Sequence, residues 1–305
     1  MNRTSNGLAL GALLVVVLAG WIAAFAKTSP TPAPLPITAS STAAEDSTTM
    51  AAADATRLSD FNQDGFTDLV ARDAAGRLWL YPGNGAGGFL TRHLMGTGWN
   101  GLTAIATPGD ITGDGNADIL GRAGNGVLWL SPGNGAGGLS PRRIIGSGWG
   151  AMNAITDAGD LSGNGRPGLL ARDTAGSLWL FPITGNAVLA ARTKISDGWA
   201  GLTVSGPGDV SGDGHADILA YDAAGRLWLY PGNGTGGIGA RTLISSGWPP
   251  VSALATPGNL DLAKGNDLIS RDGAGRLWFY PGNNRGGFGA PSQIPGEWRG
   301  LNFIG

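Results

Sequence analysis

A nine-residue phrase rich in side-chain oxygen recurs along the chain, in the form Asp-x-Asn/Ser/Thr-x-Asp-Gly-x-x-Asp. The first copy sets Asp60, Asn62, Asp64 and Asp68 around Gly65, with Phe66 at position 7. The second sets Asp110, Thr112, Asp114 and Asp118 around Gly115, with Asn116 at position 7. A third full set comes from Asp209, Ser211, Asp213 and Asp217 around Gly214, with His215 at position 7. Oxygens at positions 1, 3 and 5, a backbone carbonyl at 7 and a closing carboxylate at 9 are the ligand chemistry of a hard cation. No cysteine is present and His215 need lend only its carbonyl, so calcium is expected rather than zinc or copper. Two further copies are damaged. Asp160, Ser162 and Asn164 are followed by Gly168 in place of the last carboxylate, a weak site. Asn259-Leu-Asp261-Leu-Ala263-Lys264 loses a ligand and gains a cation, and is expected to stay empty.

These loops must be held by short strands. Trp79, Trp129, Trp179, Trp228 and Trp278 share one phrase, spaced 50, 50, 49 and 50 residues apart. Trp99, Trp149, Trp199, Trp248 and Trp298 form a second series with the same spacings. Within a unit, strand-like phrases separated by Gly-, Asn- and Asp-rich turns come about every twelve residues, for example 102–106, 117–121, 127–131 and 142–145. No sustained helical period is present. Four short antiparallel strands in a unit of about 50 residues is the pattern of a β-propeller blade. The expected fold is therefore all-β, a five-bladed β-propeller of four-stranded antiparallel blades over residues 58–305. The Trp79 series is placed to fill the space between blades. Leu301–Ile304 aligns with the first strand of the second unit, while 52–59 is a poor strand. The C-terminal segment is therefore expected to close the ring as the inner strand of the first blade.

The phrase Gly109-Asp110-Ile-Thr-Gly-Asp114-Gly115-Asn-Ala-Asp118-Ile-Leu resembles the FG-GAP or VCBS-type repeat, and the likeness covers about residues 58–305. The resemblance implies the calcium-bearing blades of integrin α-subunit propellers, with the ion in the hairpin between the first two strands. Shorter units, and five in place of seven, keep integrin partner binding from being carried over. A weaker similarity, on Ile145-Gly-Ser-Gly-Trp149 and the unit length, is to five-bladed tachylectin-type sugar-binding propellers.

Residues 1–26 contain an apolar run, Leu8 to Ala26, ending in Ala24-Phe25-Ala26, and read as a signal peptide or an N-terminal membrane anchor. Residues 27–57 read as a Pro/Ser/Thr/Ala-rich linker. The protein is thus expected outside the cytoplasm, secreted or tethered only through residues 8–26. A net charge of −2 lacks the basic footprint of nucleic-acid binding. The 55 glycines in 305 residues belong largely to repeated turns.

Two partner classes stay open, a glycan and a cell-surface protein. Asn84, Asn134 and Asn233, in Pro-Gly-Asn-Gly-x-Gly-Gly loops, with Trp99, Trp149 and Trp248, offer repeated amide-plus-aromatic pockets for sugar. The competing reading makes Asn-Gly a hairpin turn and the second tryptophan series a wedge between blades. Of the 22 acidic residues, only Asp157, Asp197 and Glu297 lie outside the leader, the loops and a repeated Arg/Tyr-Asp pair. No pair of carboxylates is placed for glycoside hydrolysis, so the chain reads as a non-enzyme. The expected function is a calcium-binding recognition module, lectin-like first, a protein-interaction or adhesion scaffold second, a glycoside-active enzyme a distant third.

Overall fold

Apolar phrases of four or five residues, such as Leu69–Asp73 and Leu78–Tyr81, are too short to bury both faces of the sheet they form. They are stable only when further sheets cover them. The computed structural model describes residues 59–305 and shows that solution. The leader and linker expected within residues 1–57 lie outside the described residues. Five four-stranded antiparallel sheets form the blades. The second blade runs from its inner strand Leu102–Gly109 through Asp118–Ala123 and Leu128–Ser131 to the outer strand Arg143–Gly146. Blades three to five repeat this order, starting from Met152–Asp157, Thr203–Gly208 and Val251–Gly258.

The first blade takes its inner strand from the far end of the chain. Leu301–Ile304 pairs antiparallel with Leu69–Asp73, setting Ala71 opposite Ile304 and Arg72 opposite Phe303. Val70 and Gly305 exchange backbone hydrogen bonds of 2.8 and 2.9 Å. The ring is thus closed by the C-terminal strand, as the poor strand pattern of 52–59 implied. Among the described residues helix is confined to two single 3₁₀ turns, Trp99–Gly101 and Trp149–Ala151.

The core is a set of five apolar layers, each shared by two neighbouring blades. The second tryptophan series drives the wedge. Trp149, Trp199 and Trp298 are 5%, 2% and 3% exposed, and Trp99 only 9%. Each reaches the next blade: Trp149 stacks on Phe181, Trp199 on Tyr230 and Trp248 on Tyr280 at 4.5 Å, and Trp298 on Tyr81 at 4.7 Å. Large aromatic surfaces buried this way dominate packing energy. Trp79 and its equivalents sit at the margins of the same layers and are only half-buried. The first series therefore seals the layers from outside and the second fills them.

The third blade departs from the others. Where they carry a glycine-rich turn closed by a single bridge, such as Gly83 to Phe89, it forms a two-residue ladder, Ile183–Thr184 against Val188–Leu189.

Candidate functional site

Antiparallel order puts each acidic loop, between the inner and second strands, on the same face of the ring as the glycine-rich loop between the third and outer strands. The two kinds of loop interlock from blade to blade. Gly137 N–H donates to the Phe61 carbonyl of the preceding blade at 2.9 Å, Ala187 to Ile111 at 2.7 Å, Gly236 to Leu161 at 2.8 Å, Gly286 to Val210 at 2.8 Å and Gly87 to Leu260 at 3.2 Å. One such bond crosses each of the five junctions, and each acceptor is position 2 of an acidic loop.

Every acidic loop turns through a left-handed residue at position 4: Gln63, Gly113, Gly163, Gly212 and Leu262 have φ of 58°, 82°, 68°, 80° and 60°. Gly65, Gly115 and Gly214 supply the second such residue at position 6. In the first loop Asn62 Nδ2 donates to Asp64 Oδ2 at 2.8 Å, and Phe66 N–H to Asp64 Oδ1 at 2.9 Å. Asp60 Oδ2 accepts from Gly65 N–H, while its Oδ1 is buried with no hydrogen-bond partner. A buried carboxylate oxygen without a partner, among further oxygen donors, fits a hard cation. In the second loop Asp110 folds back on the Gly113 and Gly115 amides at 2.7 and 2.8 Å. In the fourth, Asp209 does the same with Gly212 and Gly214 at 2.6 and 2.8 Å. Asp114 and Asp213 cap the amides of Asn116 and His215 at 2.9 Å. Thr112 and Ser211 hydroxyls point to Asp110 and Asp209 at 3.3 Å. The weak third loop keeps this arrangement, with Asp160 on the amides of Asn164 and Gly165 and Ser162 directed at Asp160. Among the described residues no group of three acidic or histidine side chains converges as tightly as a metal requires.

The closing aspartate has a second task that spacing did not reveal. Asp118 Oδ2 accepts from Ile111 and Thr112 N–H at 3.0 Å, and its Oδ1 accepts from Gly133 N–H in the glycine-rich loop, also at 3.0 Å. Asp68, Asp217 and Asp267 grip Gly83, Gly232 and Gly282 in the same way. Burial pushes their carboxyls upward, Asp68 to about 7 and Asp118 and Asp267 to about 6, against the backbone donors that pull them down. Blade three lacks both halves of this clasp: Gly168 replaces the carboxylate and Ile183, fully buried, replaces the gripped glycine. Removing an acceptor from buried donors costs about 1–3 kcal/mol each, partly offset here by relief of a buried acid. Asp118→Ala should therefore destabilise the protein by about 2–3 kcal/mol in chelator. Urea unfolding in EDTA checks this, and an unchanged midpoint would refute the clasp.

The amide-plus-aromatic pocket expected from Asn84, Asn134 and Asn233 with Trp99, Trp149 and Trp248 does not form. The asparagines lie in the glycine-rich loops, where each Oδ1 caps its own turn: Asn84 accepts from Ala86 and Gly88 at 2.9 and 3.0 Å, and Asn134 and Asn233 do likewise. The tryptophans lie at the opposite end of the strands, where Trp99, Trp149 and Trp248 N–H donate to the Gly76, Gly126 and Gly225 carbonyls. An antiparallel strand separates the two, because each strand starts on one face and ends on the other.

What sequence reasoning missed is the surface around the first tryptophan series. Trp79 lies under the Arg92 guanidinium at 4.3 Å, Trp129 under Arg142 at 4.8 Å, Trp179 under Arg192 at 4.1 Å and Trp228 under Arg241 at 4.2 Å. Indole N–H groups donate to Asp73, Asp173 and Asp222 at 3.0, 2.8 and 3.0 Å, and Arg226 pairs with Asp222 at 2.7 Å. The Trp228 indole N–H, followed by Arg226, holds the Asp222 carboxyl down to about 2. The cue was present in the arginine that follows the glycine-rich loop or its equivalent in four of the five units, Arg92, Arg142, Arg192 and Arg241. Of the leftover acids, Asp197 is exposed and paired with Lys194 at 2.6 Å, Glu297 is exposed, and Asp157 lines the axis of the ring.

Residues 60–121 match the family model described as an FG-GAP-like repeat. No curated protein sequence matches the chain. Among solved structures, it is similar to a lectin of Agrocybe aegerita described as recognising non-reducing terminal N-acetylglucosamine. The identity is 18%, covering 79% of this chain and 65% of that one, with a TM-score of 0.46. It is similar to a Burkholderia pseudomallei lectin at 20% identity, covering 78% and 68%, with a TM-score of 0.48. Prp20p of Saccharomyces cerevisiae is similar at 11% identity, covering 75% and 62%, with a TM-score of 0.36. The chain spans 65% of the length of the first of these.

Proposed function

We propose that this chain, a five-bladed propeller of FG-GAP-like repeats, is a calcium-loaded, extracytoplasmic recognition module that binds glycans and performs no catalysis. The observation that carries the reading is the fourfold recurrence of a half-buried indole beside a guanidinium, at Trp79, Trp129, Trp179 and Trp228. An indole offers an apolar face to a pyranose ring, and guanidinium and carboxylate groups beside it supply donors and acceptors for hydroxyls. Four indole–guanidinium places on one rigid ring, three of them with a carboxylate (Asp73, Asp173 and Asp222), make weak single contacts additive through effective concentration. Asp60, Asn62, Asp64 and the Phe66 carbonyl would hold calcium in the first loop, with Asp68 closing the shell. The equivalent residues of the second and fourth loops would hold two more ions. Calcium would supply positive charge there and cross-link loops that carry the blade junctions. Asp157, Asp197 and Glu297 lie in different settings and present no paired carboxylates, which supports binding over hydrolysis.

A protein-interaction scaffold is the second reading, favoured by one observation. Leu94, Ile144 and Leu243 occupy equivalent outer-strand positions and are about half exposed, opposite Trp79, Trp129 and Trp228 in register. A glycan array with the full chain, in calcium and in EDTA, separates the two. The glycan reading expects array signal and calcium-dependent agglutination. It also expects Trp179→Ala with Trp228→Ala to weaken binding roughly tenfold or more, as lost valences do. An empty array would refute it and leave the scaffold.

A further inference from the structure

The five inner strands surround an axial cavity of about 290 Å³. Its wall is made mostly of small apolar side chains, including Ala104, Ala154 and Ala253, and of the hydroxyls of Thr107, Thr156, Ser205 and Thr256. Among the described residues one ionisable side chain lines it, Asp157. Thr156 Oγ1 donates to Asp157 Oδ1 at 2.7 Å, and Ser205 and Thr256 hydroxyls meet at 2.5 Å across the junction of blades four and five. Among the described residues Asp157 has no ion-pair partner.

The repeats supply an internal control on why the acid is there. The residue three before the acidic loop is Thr107 in the second blade, Asp157 in the third, Gly206 in the fourth and Thr256 in the fifth; before the first loop it is Arg57, outside the described residues. The second, fourth and fifth blades form with threonine or glycine at this place, so the carboxylate belongs to the third alone. A carboxylate without a counter-charge, half-buried in a narrow cavity, is unfavourable unless something positive joins it. Burial accordingly pushes its carboxyl up to about 7. The Gly206 N–H of the next blade and the Thr156 hydroxyl hold the carboxylate at the cavity wall.

We propose that the axial cavity is a binding site for a small organic ammonium ion, its charged head on Asp157 and its apolar body against the alanine wall. One carboxylate balances one positive charge, whereas calcium-type sites gather several. A cavity of this size has room for roughly ten waters at ~30 Å³ each. That is more than a bare ion fills and close to the lower end of organic-ligand sites. The hydroxyls of Thr156 and Thr107 add neutral oxygens suited to N–H donors. This site is separate from the tryptophan–arginine surface and stands whether or not that surface binds glycan.

The test uses n-butylammonium as probe, n-butanol as its uncharged counterpart and sodium as a bare monovalent ion, titrated by calorimetry into the full chain in calcium. Butylammonium should bind at least tenfold more tightly than butanol, and sodium should not displace it at equal concentration. Asp157→Asn and Asp157→Thr, the latter copying the second and fifth blades, should each lower butylammonium affinity at least tenfold while the melting temperature stays within a few degrees. Equal binding of amine and alcohol, displacement by sodium, or unchanged affinity in both variants would overturn the proposal. A large fall in melting temperature in both variants would overturn it too, because it would make Asp157 a structural group.

Discussion

Transfer from 10 mM calcium to EDTA should lower the midpoint of thermal unfolding by roughly 15–30 °C. The argument begins with the place of the loops. Position 2 of every acidic loop accepts a hydrogen bond that crosses the junction from the next blade's equivalent of the glycine-rich loop, from Phe61 to Leu260. An ion that orders a loop therefore orders a junction. In the first loop, Asp60 Oδ1 is buried without a partner, an arrangement that costs energy until a cation or donor arrives. Extracellular calcium modules commonly have Kd near 10⁻⁴ to 10⁻³ M. At the tight end of that range 10 mM calcium stands about a hundredfold above Kd, and each site adds about 2.7 kcal/mol. Three sites then add about 8 kcal/mol, and a domain of this size shifts about 2–4 °C per kcal/mol. Scanning calorimetry with and without chelator reads the shift, and titration calorimetry reads the count, expected to be three with a weak fourth. No shift and no binding heat would remove calcium from the proposal. Five equal sites would show that Ala263 and Lys264 had been given too much weight.

Much of this architecture is legible in the chain because repetition multiplies weak cues. A single Gly-rich turn says little, but the same turn at a spacing of 50 identifies a blade, and Leu301–Ile304 identifies the closing strand by matching Leu102–Ile105. Other features were hidden because they are relations between loops distant in sequence. Asp118 and Gly133 are fifteen residues apart, and nothing in either phrase announces the bond between them. Blade three did hold the clue, since Gly168 and the loss of the Pro-Gly-Asn-Gly phrase at 182–188 occur in the same unit. Two losses in one repeat point to one interaction. The pairing of Asn84 with Trp99 failed for an opposite reason. Both recur in every well-kept unit, and recurrence alone does not say at which end of a strand a residue lies. The left-handed position 4 of the acidic loops was readable from Gly113, Gly163 and Gly212, but Gln63 and Leu262 adopt it too and mask the pattern.

The two tryptophan series should separate sharply under substitution, although their spacings are identical. Trp199→Ala should cost about 3–5 kcal/mol, the range for removing a buried aromatic side chain. Trp199 is 2% exposed, stacks on Tyr230 at 4.5 Å and donates its indole N–H to Ser196 Oγ at 2.8 Å. Its main-chain bonds, N–H to the Gly176 carbonyl and carbonyl to the Arg172 guanidinium, survive the change, so the loss belongs to the ring and the cavity it leaves. Trp179 in the same blade is half-buried under Arg192, and its indole N–H reaches Asp173 near the surface. Trp179→Ala should cost about 1–2 kcal/mol, since only part of its area leaves water and a cation–π contact at an exposed site adds about 0.5–1 kcal/mol. Urea unfolding at fixed calcium measures both. Ligand binding should show the reverse order, with Trp179→Ala weakening it and any folded Trp199→Ala protein, assayed below its midpoint, keeping it. Equal costs for the two variants would mean that the ring is wedged by both series. A binding loss confined to Trp199→Ala would move the recognition surface from the Trp179–Arg192 pair to the second tryptophan series.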